Sequence, residues 1–239
     1  MNWDEVIRKV SPYIVKIETP TGSGTGFVCA LNEDKTLCGI ATALHVVSDS
    51  DEWQQPIKIQ NHTFSQTVFL IASQRFIFTQ WKTDSAVILF ERSKLEFPEL
   101  LIPLRPIGAP ISIGVEVGWL GFPAIEPYTL CFFAGPVSAR QDSSKAYLID
   151  GVAINGVSGG PVLFSSTTDG VQFVGVVSAY HASRARGEAL PGLLVAQDVS
   201  HFHGVIQQIR SVDEARKKKD AEDQARKKSE IESTKPQQP

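Results

Sequence analysis

The sequence predicts an all-β body of two six-stranded antiparallel barrels with a short helix in front and a charged helix or tail behind. Three observations lead there. Short apolar runs rich in Val, Ile, Phe and Thr recur from Tyr13 onward, as YIVKIE, GFVCAL, CGIATAL, VILF, VEVGWL, AYLID, PVLF and FVGVVSA. Gly, Pro, Asn, Asp and Ser separate them at short intervals, with no long amphipathic helix between, which favours antiparallel barrels over a parallel sheet. A stretch with four prolines, FPELLIPLRPIGAP at 97–110, then breaks the pattern, because proline has no N–H to give to a central strand. Each side of that break has about 100 residues, enough for one barrel. The expected units are therefore 1–105 (helix and first barrel), 106–208 (second barrel) and 209–239 (charged tail).

In chain order, the first ten residues read as a short helix: Asn2 can cap, Glu5 stands where a capping box needs it, and Trp3, Val6, Ile7 and Val10 recur at helical spacing. Pro12 should end it. The runs listed above are the strands. Beyond Ile209 the composition changes, with nine basic and seven acidic residues in 210–239. ARKK at 215–218 returns at 225–228, and the pairs Glu214/Lys218, Glu222/Arg226 and Asp223/Lys227 stand four apart with the acid first, which supports a helix. Its apolar residues are too few to pack, so it reads as a solvated helix fraying into STKPQQP; the sharper reading is a docking helix for a regulatory protein partner.

Composition excludes several function classes. With 239 residues, 42% hydrophobic and 21% charged, the chain can bury one or two cores. The balance of 23 basic against 26 acidic residues leaves no global basic field, so neither nucleic acid nor an anionic membrane is an expected partner. No apolar run exceeds five residues, the length of Ala86 to Phe90, far below the roughly 18 residues of a membrane helix. MNWDEVIRKV carries acids where an export signal needs an apolar stretch, so the expected location is cytoplasmic. Cys29, Cys38 and Cys131 form no zinc-binding spacing, and the first two read as buried, reduced thiols. No cofactor or metal is expected.

The most informative stretch is Gly156-Val157-Ser158-Gly159-Gly160-Pro161. Glycines around a serine let the backbone turn tightly, expose the hydroxyl and aim amides inward. A serine is a weak nucleophile without a base, normally His, and an acid that holds that His in the right tautomer. His45 follows the strand GIATAL and is the best base. His62, His181, His201 and His203 read as surface residues. Asp84 opens the apolar strand SAVILF and would plant a carboxylate at the edge of a core. The order His45, Asp84, Ser158, with two residues in the first unit and one in the second, is the order adopted by triads on a double barrel.

Four phrases, GSGTGF at 22–27, TALHVV at 42–47, DSAVIL at 84–89 and AINGVSGGP at 153–161, resemble the trypsin-like serine peptidases of the chymotrypsin fold, most of all the bacterial HtrA-type branch. The resemblance spans roughly residues 10–205. It implies a serine endopeptidase with a His45–Asp84–Ser158 triad, an acyl-enzyme on Ser158, and an oxyanion hole from the amides of Gly156 and Ser158. It places the primary pocket at Val152 and Ala153, walled by Ser178, Ala179 and Tyr180. No carboxylate lies there, which implies cleavage of protein or peptide substrates after small or medium apolar residues. Two departures stand out. Only the charged tail follows the body, where that branch has a PDZ domain, and Val157 replaces the aspartate that pairs with a freed N-terminus in secreted relatives. The alternative is a catalytically silent scaffold of the same fold that recruits partners through its groove or tail.

Overall fold

The computed structural model describes residues 2–92, 95–152, 154–185 and 188–233; the side chains at 180–191 and 227–233 lie outside the description. The first helix, α1 (Trp3–Val10), buries Val6 and Val10. Asn2 caps it by accepting from the Asp4 amide at 3.2 Å, so the expected reciprocal box with Glu5 does not form. Pro12 lies in the single 3-10 turn Ser11–Tyr13 that ends the helix.

The first sheet contains β1 (Ile14–Thr19), β2 (Gly22–Leu31), β3 (Leu37–Ala43), β4 (Ile57–Asn61), β5 (Gln66–Leu70), β6 (Arg75–Gln80) and β7 (Ser85–Glu91), with α2 (Leu44–Glu52) inserted after β3. Its order is β5-β4-β1-β2-β3-β7-β6, antiparallel throughout. The first of the two expected barrels is thus a curled, seven-stranded half-barrel whose edges β5 and β6 do not bond to each other. The second is a closed barrel of β8 (Glu116–Gly121), β9 (Cys131–Gln141), β10 (Ala146–Asp150), β11 (Pro161–Ser166), β12 (Gly170–Ala185) and β13 (Glu188–Asp198). Strands β4, β5, β6, β9 and β13 escape a search for continuous apolar runs. In β4, for example, buried and half-buried residues alternate, because only one face meets the core.

The two sheets share a core. Phe27 of β2 packs on Phe173 of β12 at 4.5 Å between ring centroids and on Phe202 at 6.2 Å, and all three are fully buried. The expected boundary at 105/106 falls in a segment tied to β12: Arg105 donates its amide to the Phe173 carbonyl, and Phe173 donates to Pro103. The C-terminal helix, α3 (Ser200–Ser233), starts earlier than the expected tail, and Phe202, Val205 and Ile209 seat its first turns in the shared core. Further along it is anchored rather than merely solvated. Asp213 accepts from the Glu33 amide at 2.9 Å, and Lys217 pairs with Glu33.

Three of the histidines expected on the surface are partly buried. His62 stacks on Phe122 at 4.7 Å, His201 sits beside Phe202, and the His203 ring donates to the Arg105 carbonyl at 2.8 Å. The side chain of His181 lies outside the described residues. His201 and His203, two apart on a helix, do not face each other, and no metal-binding cluster occurs among the described residues. Cys29 and Cys38 are buried free thiols, and burial pushes the Cys29 pKa up to about 12. No helix among the described residues is long and apolar enough to cross a membrane.

Candidate active site

The antiparallel register between β3 and β7 sets Ala43 opposite Ser85, so the residues just beyond, Leu44 and His45 on one side and Asp84 on the other, meet at the end of the sheet. Asp84 caps the short 3-10 turn Trp81–Thr83 in the left-handed region, at φ 43°, which an aspartate tolerates better than most residues. From there it caps α2 as well. Ala43 precedes α2 and has no side chain that could cap it; instead Leu44 donates its amide to the Asp84 carbonyl and His45 donates its amide to Asp84 Oδ1, both at 3.0 Å.

The other carboxylate oxygen, Asp84 Oδ2, accepts two side-chain hydrogen bonds: from His45 Nδ1 at 2.7 Å and from the Ser178 hydroxyl at 2.6 Å. A proton on Nδ1 leaves Nε2 as the basic nitrogen, on a ring whose side chain is 49% exposed. Burial alone would push the Asp84 carboxyl up, but the hydrogen bonds from His45 and Ser178 outweigh it and hold the group below the ordinary carboxylate value. A carboxyl depressed by folding stabilises the protein above its unfolded pKa of ~3.9 and loses that contribution as pH falls through the lower folded value. The urea midpoint of the wild type is therefore expected to fall between about pH 5 and pH 2 more steeply than that of Asp84→Asn. Parallel curves over that window would contradict the assignment.

The serine loop joins β10 to β11. Its first turn is closed by Val157 N–H to the Ile154 carbonyl, with Gly156 at φ +91°. Gly159 is also left-handed, at φ +84°, and a Cβ there would collide with Thr25 O and Thr42 Oγ1. These two glycines are dictated by backbone conformation and contact. The flanking residues pin the loop to both neighbours of the carboxylate–histidine pair. Ser158 accepts at its carbonyl from Thr25 N at 2.8 Å; Gly159 donates to Val177 O at 2.7 Å, and Val177 donates to Gly160 O at 2.9 Å. Val177 precedes Ser178, which holds Asp84. A Cβ on Gly24 would meet both Val46, next to His45, and Ser158 O.

In the loop the amides of Val157, Gly159 and Gly160 are all bonded, while those of Gly156 and Ser158 make no hydrogen bond among the described residues. Ser158 Oγ makes none either. The expected pocket residues lie as follows. Val152 is 47% exposed, Ser178 is buried with its hydroxyl turned to Asp84, and Ala179 is exposed on β12. Ala153 lies outside the described residues, as does the side chain of Tyr180. Sequence reasoning missed Trp119, fully buried beneath Gly151 so that a Cβ on Gly151 would strike its ring. It also missed the bond from Ser178 to Asp84: the register of β12 against β13 shifts between Val177 and Ala179, so plain alternation along the strand does not tell where Ser178 turns.

The family model for the trypsin-like peptidase domain matches residues 24–176, a span that includes His45, Asp84 and Ser158. Among solved structures, the serine endoprotease from Yersinia pestis superposes with a TM-score of 0.62 at 19% identity, covering 87% of this chain and 66% of that one. The chain thus spans just under two thirds of the Yersinia protein. Rv3671c from M. tuberculosis H37Rv, a serine-to-alanine mutant in an inactive form, superposes with a TM-score of 0.56 at 18% identity, covering 85% of this chain and 89% of that one. At these identities the likeness is one of fold. No curated protein is significantly similar in sequence.

Proposed function

The chain belongs to the trypsin-like peptidase family, a family of serine endopeptidases, and from that premise we propose that it hydrolyses peptide bonds through Ser158, His45 and Asp84. Ser158 Oγ attacks the scissile carbonyl, His45 Nε2 takes the proton and returns it to the leaving amine, and the acyl group left on Ser158 is released by water. Asp84 keeps its charge throughout, orienting the ring and stabilising the imidazolium. The oxyanion is received by the amides of Gly156 and Ser158, each worth about 3 kcal/mol in comparable sites. The observation that carries this reading is the carboxylate with two masters: Asp84 fixes the helix bearing His45 through the backbone and the tautomer of His45 through the ring. The two loop amides that make no hydrogen bond among the described residues add to it.

For specificity, we propose an uncharged, shallow pocket at Val152 and Ala153, walled by Ser178, Ala179 and Tyr180. The bulk of Trp119 beneath Gly151 and the engagement of Ser178 with Asp84 support it. Digestion of a peptide library with the purified chain, read by mass spectrometry, is expected to give cuts after Ala, Val or Leu. A dominant preference for Lys or Arg would overturn the pocket assignment, and an absence of cuts that Ser158→Ala abolishes would overturn the activity.

A further inference from the structure

We propose that Thr25 is a positioning residue for the oxyanion amides: its hydroxyl, reaching across from the first sheet, sets the peptide planes of the serine loop. The inference rests on the peptidase reading above and assigns the device that keeps its site formed. Thr25 lies in β2 and is fully buried. Its Oγ1 donates to the Gly156 carbonyl at 2.8 Å and accepts from the Phe122 amide at 3.0 Å. Its own amide donates to the Ser158 carbonyl at 2.8 Å, and its carbonyl accepts from the Thr42 hydroxyl at 2.7 Å. One residue therefore holds the carbonyls of both residues whose amides face the oxyanion.

The consequence follows from peptide planarity: a carbonyl and the next amide share one plane and point opposite ways, so holding either orients both. The plane after Gly156 is held directly by Thr25 Oγ1. The plane before it, which contains the Gly156 N–H, is held by the Asn155 carbonyl, which accepts from Ala124 at 2.7 Å. Ala124 is two residues from Phe122, whose amide the same hydroxyl holds. Thr25 Oγ1 thus holds one of the planes flanking Gly156 directly and, through Phe122, anchors the segment whose Ala124 amide holds the other. On the other side of the nucleophile, the Thr25 amide holds the plane after Ser158. Thr25 touches neither the nucleophile's hydroxyl nor the space a substrate would take, so it acts only through the loop. Losing its hydroxyl would leave a buried carbonyl and a buried amide without partners, a cost they can escape by rotating the peptide.

The test compares Thr25→Ala with Thr25→Ser in the full-length chain, since the two variants differ only in the hydroxyl oxygen. The readouts are the rate of labelling by a fluorophosphonate probe, its pH profile and the melting temperature. Thr25→Ala is expected to label about 10²-fold more slowly than wild type, Thr25→Ser to stay within about threefold, and the midpoint of the pH profile to stay in place because the His45–Asp84 pair is intact. A merely structural role would lower the melting temperature of Thr25→Ala and leave its labelling rate, measured well below melting, unchanged. That result overturns the proposal, as does an equal loss in both variants, or a midpoint that moves with the rate. Should Thr25→Ala fail to fold, Thr25→Val, which keeps the shape without the hydroxyl, takes its place against Thr25→Ser. A wild type that is folded but unlabelled overturns the peptidase reading and this inference with it, whereas a labelled wild type matched by Thr25→Ala overturns this inference alone.

Discussion

Replacing Ser158 by alanine is expected to lower peptide hydrolysis by about 10⁶-fold, to the level left by binding and oxyanion stabilisation alone, with no loss of stability. The nucleophile has no substitute: no other serine lies in the loop between β10 and β11. Stability is spared because Ser158 Oγ makes no hydrogen bond among the described residues, and the loop is held by the backbone of Ser158, Gly159 and Gly160, which alanine keeps. The check is kcat on the best library peptide together with a urea melt. A loss below about tenfold would mean that another group performs the attack.

Asp84→Asn is the second large effect, expected to reduce kcat by about 10⁴-fold while the protein stays folded. The amide oxygen can still accept from the His45 amide and so still cap α2. The amide nitrogen, set where Oδ2 now accepts from the ring, would force His45 Nδ1 to act as acceptor and put the proton on Nε2, where it blocks removal of the proton from Ser158. Circular dichroism and peptide kinetics separate the two roles. An unfolded variant would show that the cap dominates, and a folded variant with nearly full activity would show that the tautomer does not matter.

The legibility of this site in the sequence was uneven for physical reasons. Gly156, Gly159 and Gly160 announce the loop because a Cβ at any of them would strike backbone atoms, so the residue type itself carries the geometry. His45 and Asp84 are legible because each borders a strand with a strong apolar pattern, His45 just after β3 and Asp84 just before β7. Thr25 was not. Its partners Phe122 and Gly156 lie 97 and 131 residues away, and a threonine between glycines says nothing of them. Tertiary packing also overrode local polarity at His62, whose neighbours are polar but whose ring is covered by Phe122. The start of α3 was misplaced because the shift in charge near residue 210 marks where the helix leaves the core, while Phe202 and Val205 upstream are what hold it there.

The central claim, that Ser158 is an activated nucleophile, is tested most directly by treating the folded wild type with a fluorophosphonate probe and locating the adduct by peptide mapping. A single adduct on Ser158, formed with loss of fluoride and absent from His45→Ala, is the predicted result. A folded protein that takes no adduct, or takes it on another residue, would contradict the claim and leave the chain as a peptidase fold used for binding.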